Sequence, residues 1–285
     1  MAYKIESAQW TIPVTGLQYT DVRPVISGDT LEDIVEGAMS VSKAVGNEKL
    51  YERLSGIEKP LTGAPVASQR ILGDGVLFNE SDHTYSKDGK PYLSGSTFAH
   101  MFEKEFPRDA IAQKVANKNN KVVEDVLAGW DSKGEISLQY GTLVHKCIET
   151  YIKYGEKPNN EYLSAIVEDW AEVFNKDQID STELFVQDDP HQMCGVIDGI
   201  GGDTIYDWKT GDIHQKVNHT LDGFPNDRLS LYTLQLNFYK YIVEQNGGKV
   251  KKLVIGWLNG EHWEKIKVDI IDIKPYLEEV WKPTK

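Results

Sequence analysis

The chain has 285 residues, of which 40% are apolar, 26% charged and 10% aromatic, an ordinary globular composition that excludes disordered, collagen-like and coiled-coil classes. Its 31 basic and 44 acidic residues leave a formal charge of -13, which argues against a protein that coats nucleic acid by charge alone but not against an enzyme whose carboxylates hold metal ions. No apolar run approaches the ~20 residues that span a bilayer, and two cysteines, Cys147 and Cys194, are too few for a disulfide framework or a four-thiolate site.

Residues 1–6 lack a basic stretch followed by an apolar core, so no export signal is expected and a reducing interior is the expected setting. Gly28-Asp29-Thr30-Leu31-Glu32-Asp33 reads as a helix start, with Asp29 or Thr30 as cap and acids in the first turn. Leu31, Ile34, Val35, Ala38, Met39 and Val41 then fall on one helical face. Residues 55–69 are rich in Gly, Pro and Ala and read as a linker. Residues 1–75 are therefore expected to be a helical N-terminal accessory region without visible chemistry, and 76–285 the main domain.

From residue 76 the pattern changes. Val76-Leu77-Phe78 and His83-Thr84-Tyr85 flank turns, and Lys87-Asp88-Gly89-Lys90 carries the Asp-Gly of a tight hairpin. Helices are predicted over 94–102, 109–130, 141–154 and 161–175. In the third of these, Leu143, Val144, Cys147, Ile148 and Tyr151 form one stripe. Strands are predicted over 183–186, 193–200 and 204–209, with Gly201-Gly202-Asp203 turning between the last two. A helix over 229–245 is closed by Asn246-Gly247-Gly248. Strands over 252–257 and 262–268 and a helix over 273–281 complete an α/β order with a mixed sheet.

The hairpin at the centre holds the chemistry. Residues two apart on a strand share a face, so Asp207 and Lys209 point one way and Trp208 the other. A turn spanning 201–204 sets Ile200 opposite Ile205 and Asp198 opposite Asp207; a two-residue turn sets the acids diagonally on that same face. Either way two carboxylates and an ammonium converge among apolar neighbours. Adjacent carboxylates repel unless a cation neutralises them, and hard oxygen donors suit Mg²⁺ or Mn²⁺. A bound ion lowers the pKa of its water and polarises a phosphoryl group, so the set fits phosphodiester hydrolysis. Taken alone, Asp-x-Lys is a common tripeptide that a surface ion pair explains. As the acid and base of a glycosidase, Asp198 and Asp207 would leave Lys209 and His145 without a task.

The ordered company of this tripeptide resembles a family. Gly141-Thr142-Leu143-Val144-His145, Gly195-Val196-Ile197-Asp198, Tyr206-Asp207-Trp208-Lys209-Thr210-Gly211 and Gln235-Leu236-Asn237-Phe238-Tyr239 together resemble the PD-(D/E)XK nucleases. Within them the set is similar to the RecB-like exonuclease branch. His83-Thr84-Tyr85 and Leu93-Ser94-Gly95-Ser96-Thr97 resemble the leader of phage-type members. The resemblance covers residues 140–260. It implies a restriction-endonuclease-like α/β core, a mixed central sheet flanked by helices.

It also implies roles. Asp198, Asp207 and the Trp208 backbone carbonyl would ligate Mg²⁺ or Mn²⁺, one or two ions, with His145 contributing an imidazole nitrogen to a second. Lys209 would be the catalytic lysine, and Glu149 and Glu183 would be helpers. Gln235 and Tyr239, four apart on a helix face, would contact the DNA backbone or the reacting phosphate. Lys114, Lys118 and Lys121 on a candidate helix would add DNA contacts, with Trp130, Tyr140 or Phe224 as stacking surfaces. The long loop over 210–228 is expected to line the substrate entrance. Family members with an iron–sulfur cluster use four cysteines, so no cluster is expected, and no Walker-type or zinc-finger pattern is present.

The implied activity is a metal-dependent DNA exonuclease of recombination, repair or phage DNA processing in bacterial or phage-infected cytoplasm. Its implied partners are DNA and a recombination or single-strand-annealing protein, with no membrane. The alternative is a catalytically idle DNA-end-binding module of a recombination complex.

Overall fold

In the computed structural model the described residues are 8–12, 17–21, 69–79, 82–260 and 262–280. The expected accessory helix and the linker up to residue 68 lie outside them. Two short strands, β1 (Ala8–Ile12) and β2 (Leu17–Asp21), pair antiparallel.

The main domain opens with a meander of β3 (Gln69–Leu72), β4 (Val76–Asn79), β5 (Thr84–Lys87) and β6 (Lys90–Ser94). The β5–β6 turn is the expected Asp-Gly pair, with φ of 51° at Asp88 and 74° at Gly89, the left-handed values that match strand twist. Ser94 caps α1 (Gly95–His100), its hydroxyl accepting from Thr97 N–H at 3.2 Å.

One predicted helix over 109–130 is instead two. Helix α2 (Arg108–Asn119) ends where Asn120 turns left-handed, with its N–H on the Ala116 carbonyl. Helix α3 (Val123–Tyr154) then absorbs the predicted 141–154 segment and stops at Gly155, φ 72°. Helix α4 (Glu161–Val173) follows.

Strands β7 (Ser181–Asp188), β8 (Met193–Gly201) and β9 (Thr204–Lys209) form the expected antiparallel centre. Helix α5 (Arg228–Gln245) is capped by Asp227, which accepts from Ser230 N–H at 3.0 Å. Strands β10 (Lys252–Asn259) and β11 (His262–Val268) and helix α6 (Lys274–Val280) finish the chain. β10 lies parallel to β9 and antiparallel to β11, so the nine-stranded sheet is mixed, as expected of an α/β chain.

The chain divides into two compact units. The first comprises Met1–Ala67, Glu105–Thr150 and Glu156–Val167. In it Ala112 and Ala116 of α2 pack on Val126, flanked by Leu127 and Trp130, and Arg108 pairs with Asp131 at 2.6 Å. The second unit comprises Ser68–Lys104, Tyr151–Gly155 and Glu168–Lys285 and carries the nine-stranded sheet. One face of the sheet buries Ile197, Ile205 and Ile255 against Leu231, Leu234, Phe238 and Ile242 of α5 and Phe98 of α1. Trp170, Phe174, Tyr206, Trp208 and Trp263 build an aromatic layer, with ring centroids 5.0 Å apart for Phe174 and Trp208.

Candidate metal centre

Strand β8 has three neighbours and only two edges. Met193 pairs with both Asp188 and Leu93, and Ile200 with both Ser181 and Ile205. β7 therefore runs along one edge, while β6 and β9 share the other. On that shared edge β6 reaches only Met193 and Cys194, and β9 only Gly199 to Gly201. Among the described residues no strand pairs with Gly195, Val196, Ile197 or Asp198 on this edge.

The observed register, Ile200 opposite Ile205, is that of the turn spanning 201–204. Continued, it would set Asp198 opposite Asp207, but the ladder ends one pair earlier, at Gly199 and Tyr206. Beyond it Trp208 N–H donates to the Asp198 carboxylate at 2.7 Å. A side chain has taken the donor a β8 carbonyl would otherwise receive, and the strands part around it.

The opposite neighbour of Asp198 is Glu183, placed by the flanking pairs Thr182–Gly199 and Leu184–Ile197. Glu183 has φ 50°, a left-handed conformation that a non-glycine strand residue adopts only when its surroundings impose it. The side-chain alternation shifts there. Ile197 and Ile200, an odd three positions apart, both pack with the α5 core, whereas the Gly199 Cα faces the Trp208 ring. Glu183 and Asp198 thereby offer carboxylate oxygens within 4.8 Å of each other.

Asp207 is buried, and Lys209 Nζ lies 2.7 Å from its Oδ2. Burial raises the Asp198 carboxyl above the ordinary range, against the pull of the Lys209 ammonium and the Trp208 N–H. For Lys209, burial acts to lower the pKa, but the Asp207 and Asp198 carboxylates outweigh it and the net direction is up. Lys209 is thus held as an ammonium. Three carboxylates against one ammonium leave an excess of negative charge, and that excess fits a divalent ion with oxygen ligands.

Helix α5 borders this edge. Gln235 Nε2 donates to Tyr239 Oη at 3.0 Å, so the expected pair does share a face. The Tyr239 ring fits over two glycines: a Cβ would stand 2.5 Å from it at Gly95 and 2.4 Å at Gly195. Burial, then the nearby Asp207 carboxylate, raises its hydroxyl well above the ordinary value. Tyr232, two turns before Tyr239, lays its ring under Lys209 Nζ at 4.6 Å. Tyr232 is not among the expected site residues; its spacing of three from Gln235 was the available signal.

The Trp208 indole packs in the aromatic layer. Gly256 makes room for it, since a Cβ there would sit 2.5 Å from the ring. In the first unit, His145 is half-buried on α3, and Glu149 is buried and ion-paired with Lys146 at 2.6 Å. Lys114 and Lys118 are exposed on α2. Lys121 corrects the expected three-lysine helix face, because the left-handed Asn120 ends the helix before it. Tyr140 is buried, hydrogen-bonded to the Tyr162 hydroxyl at 2.9 Å, and offers no stacking face. Burial pushes both cysteine thiols up to about 12.

The loop after β9 is pinned at several points. Trp257 Nε1 donates to the Gly211 carbonyl at 2.9 Å, Thr220 N–H to the Phe102 carbonyl at 2.9 Å, and Lys104 N–H to the Asn218 carbonyl at 2.8 Å. Buried His219 is structural, its Nε2 on the Pro225 carbonyl at 2.6 Å and its Nδ1 accepting from Leu221 N–H at 3.2 Å.

No family model matches the chain, and no curated protein matches it. Among solved structures, a candidate exonuclease from Eubacterium rectale is similar at a TM-score of 0.32 and 13% identity, over 66% of this chain and 75% of that one. At that TM-score the likeness defines neither a family nor an activity.

Proposed function

We propose that the chain is a divalent-metal-dependent DNA nuclease of the PD-(D/E)XK kind, an exonuclease acting at DNA ends. The observation that carries this reading is the gathering of Asp198, Asp207 and Lys209 where β8 and β9 part. Asp198, Asp207, the Trp208 carbonyl and Glu183 would hold Mg²⁺ or Mn²⁺. A bound ion supplies an acidified water and a polarised phosphoryl group.

The chain's own groups do the rest. Lys209, an ammonium fixed beside Asp207, offsets charge that develops on the phosphoryl oxygens. Gln235 presents an amide that can bond a phosphate oxygen, and Tyr239 fixes its orientation. The parted strands leave this edge of β8 free of a pairing strand among the described residues.

End-labelled single- and double-stranded DNA incubated with Mg²⁺ or Mn²⁺ tests the reading. A product ladder that EDTA abolishes, and that Asp207→Asn and Lys209→Ala each reduce by at least ~100-fold, is expected. Full activity in both folded variants overturns it. End binding without cleavage in either metal would instead favour the idle DNA-end-binding module of a recombination complex.

A further inference from the structure

We propose that Tyr232 is a positioning residue that holds the Lys209 ammonium in place when Asp207 is engaged elsewhere; the proposal rests on the nuclease reading above. Besides the charge of Asp198, Lys209 Nζ meets two groups on opposite terms. The Asp207 carboxylate, which shares one negative charge between its two oxygens, presents Oδ2 at 2.7 Å, whereas the Tyr232 ring centroid lies at 4.6 Å and is neutral. Asp207 cannot give the same charge undiminished to both a divalent cation and an ammonium. Once its oxygens face a cation, the attraction that fixed Nζ falls, and a four-carbon stem with free rotors can swing away.

The ring meets that need. Its π face attracts a cation through the quadrupole but does not neutralise it, so the ammonium keeps its charge for a phosphate. A carboxylate at the same place would compete with the substrate for Lys209 and repel its phosphates. The placement is also firm. Tyr232 lies half-buried on the same helix as Gln235 and Tyr239, at spacings of three and seven that keep all three on one face. The same helix face thus holds both the amide offered to the phosphate and the ring under the lysine.

The test pairs kinetics with a spectrum of the metal-free protein. Tyr232→Leu removes the ring and is expected to lower kcat roughly tenfold with KM nearly unchanged, the pattern of an interaction that matters in the transition state. Tyr232→Phe keeps the π face and restores the rate. In a Lys209→Ala background Tyr232→Leu causes no further loss. In metal-free wild type the Lys209 ε-methylene protons, assigned by their absence in Lys209→Ala, resonate upfield from the ring current. That shift persists in Tyr232→Phe and disappears in Tyr232→Leu.

An unshifted ε-methylene in wild type overturns the proposal even if Tyr232→Leu does not fold. An equal rate loss in the Lys209→Ala background overturns it as well. Failure of the nuclease reading has a different signature: wild type cleaves no DNA, or Lys209→Ala cleaves as wild type does, while the ring-current shift still reports on the contact.

Discussion

Asp198 carries a cost in the metal-free chain that an ion would offset. Burial raises its carboxyl, so the folded chain keeps that proton to higher pH than the unfolded chain does. The group's contribution to stability is therefore most favourable below its ordinary value of ~3.9 and declines as pH rises through the interval up to the raised value. At neutral pH, above the ordinary value, the penalty is present. Asparagine has no charge to desolvate and keeps an oxygen for the Trp208 N–H now bonded at 2.7 Å. Asp198→Asn in EDTA should therefore melt above wild type at pH 7, and the difference should shrink in acid. Thermal melts across pH check this, and a variant less stable than wild type at pH 7 would contradict the sign. Mn²⁺ should raise the wild-type midpoint by mass action and leave Asp198→Asn nearly unmoved. Glu183 carries a second cost, in the backbone, at φ 50°. Asparagine tolerates that conformation, so Glu183→Asn should gain roughly 0.5–1 kcal/mol in denaturant titrations. Calorimetry should show weaker Mn²⁺ binding by the same variant, because one nearby carboxylate is gone.

At the scale of elements, the centre depends on close approach between β8, α1 and α5. Gly195 is the tightest point against α5, with the Tyr239 ring 2.4 Å from where a Cβ would be. A buried ring has no free path of retreat, so Gly195→Ala should cost about 1–3 kcal/mol through overpacking and separate Tyr239 from Gln235. Denaturation and loss of DNA cleavage together would check it; unchanged stability would mean the helix shifts freely. The sequence made much of this frame legible because local chemistry decided it. Asp88-Gly89 demands a tight turn, Gly201-Gly202-Asp203 turns the chain between β8 and β9, and Asn246-Gly247-Gly248 stops α5. The 131–140 stretch of helix α3 escaped notice because Asp131, Ser132 and Gly134 are poor helix residues that tertiary packing overrides. The shift of alternation at Asp198 was hidden for another reason. It arises from a left-handed Glu183 on the neighbouring strand, and no pattern within β8 records the conformation of its partner. The contact of Tyr232 with Lys209 was likewise invisible, since it joins a helix to a strand by packing alone.

At the scale of the whole molecule, a charge of -13 opposes the approach of a polyphosphate, and few counterions can be released from so acidic a surface. The site as it stands adds to this, with Asp198, Asp207 and nearby Glu183 outnumbering Lys209. Binding of DNA should therefore be conditional on divalent cations filling the carboxylate cluster and inverting its local field. Ca²⁺ suits the experiment, because it accepts oxygen ligands and allows binding to be read without relying on turnover. Fluorescence anisotropy with a labelled single-stranded oligonucleotide should give affinity at least about tenfold tighter in Ca²⁺ than in EDTA, with a salt slope of magnitude below about 3. Asp207→Asn should lose most of the Ca²⁺ dependence. Equal affinity in EDTA and Ca²⁺ with a steep salt slope would overturn this account and move the DNA contacts to a separate basic surface, for which exposed Lys114, Lys118 and Lys121 would be the first residues to replace. A charge-inverting metal cluster and a preformed lysine surface predict opposite responses to a chelator, so one titration separates them.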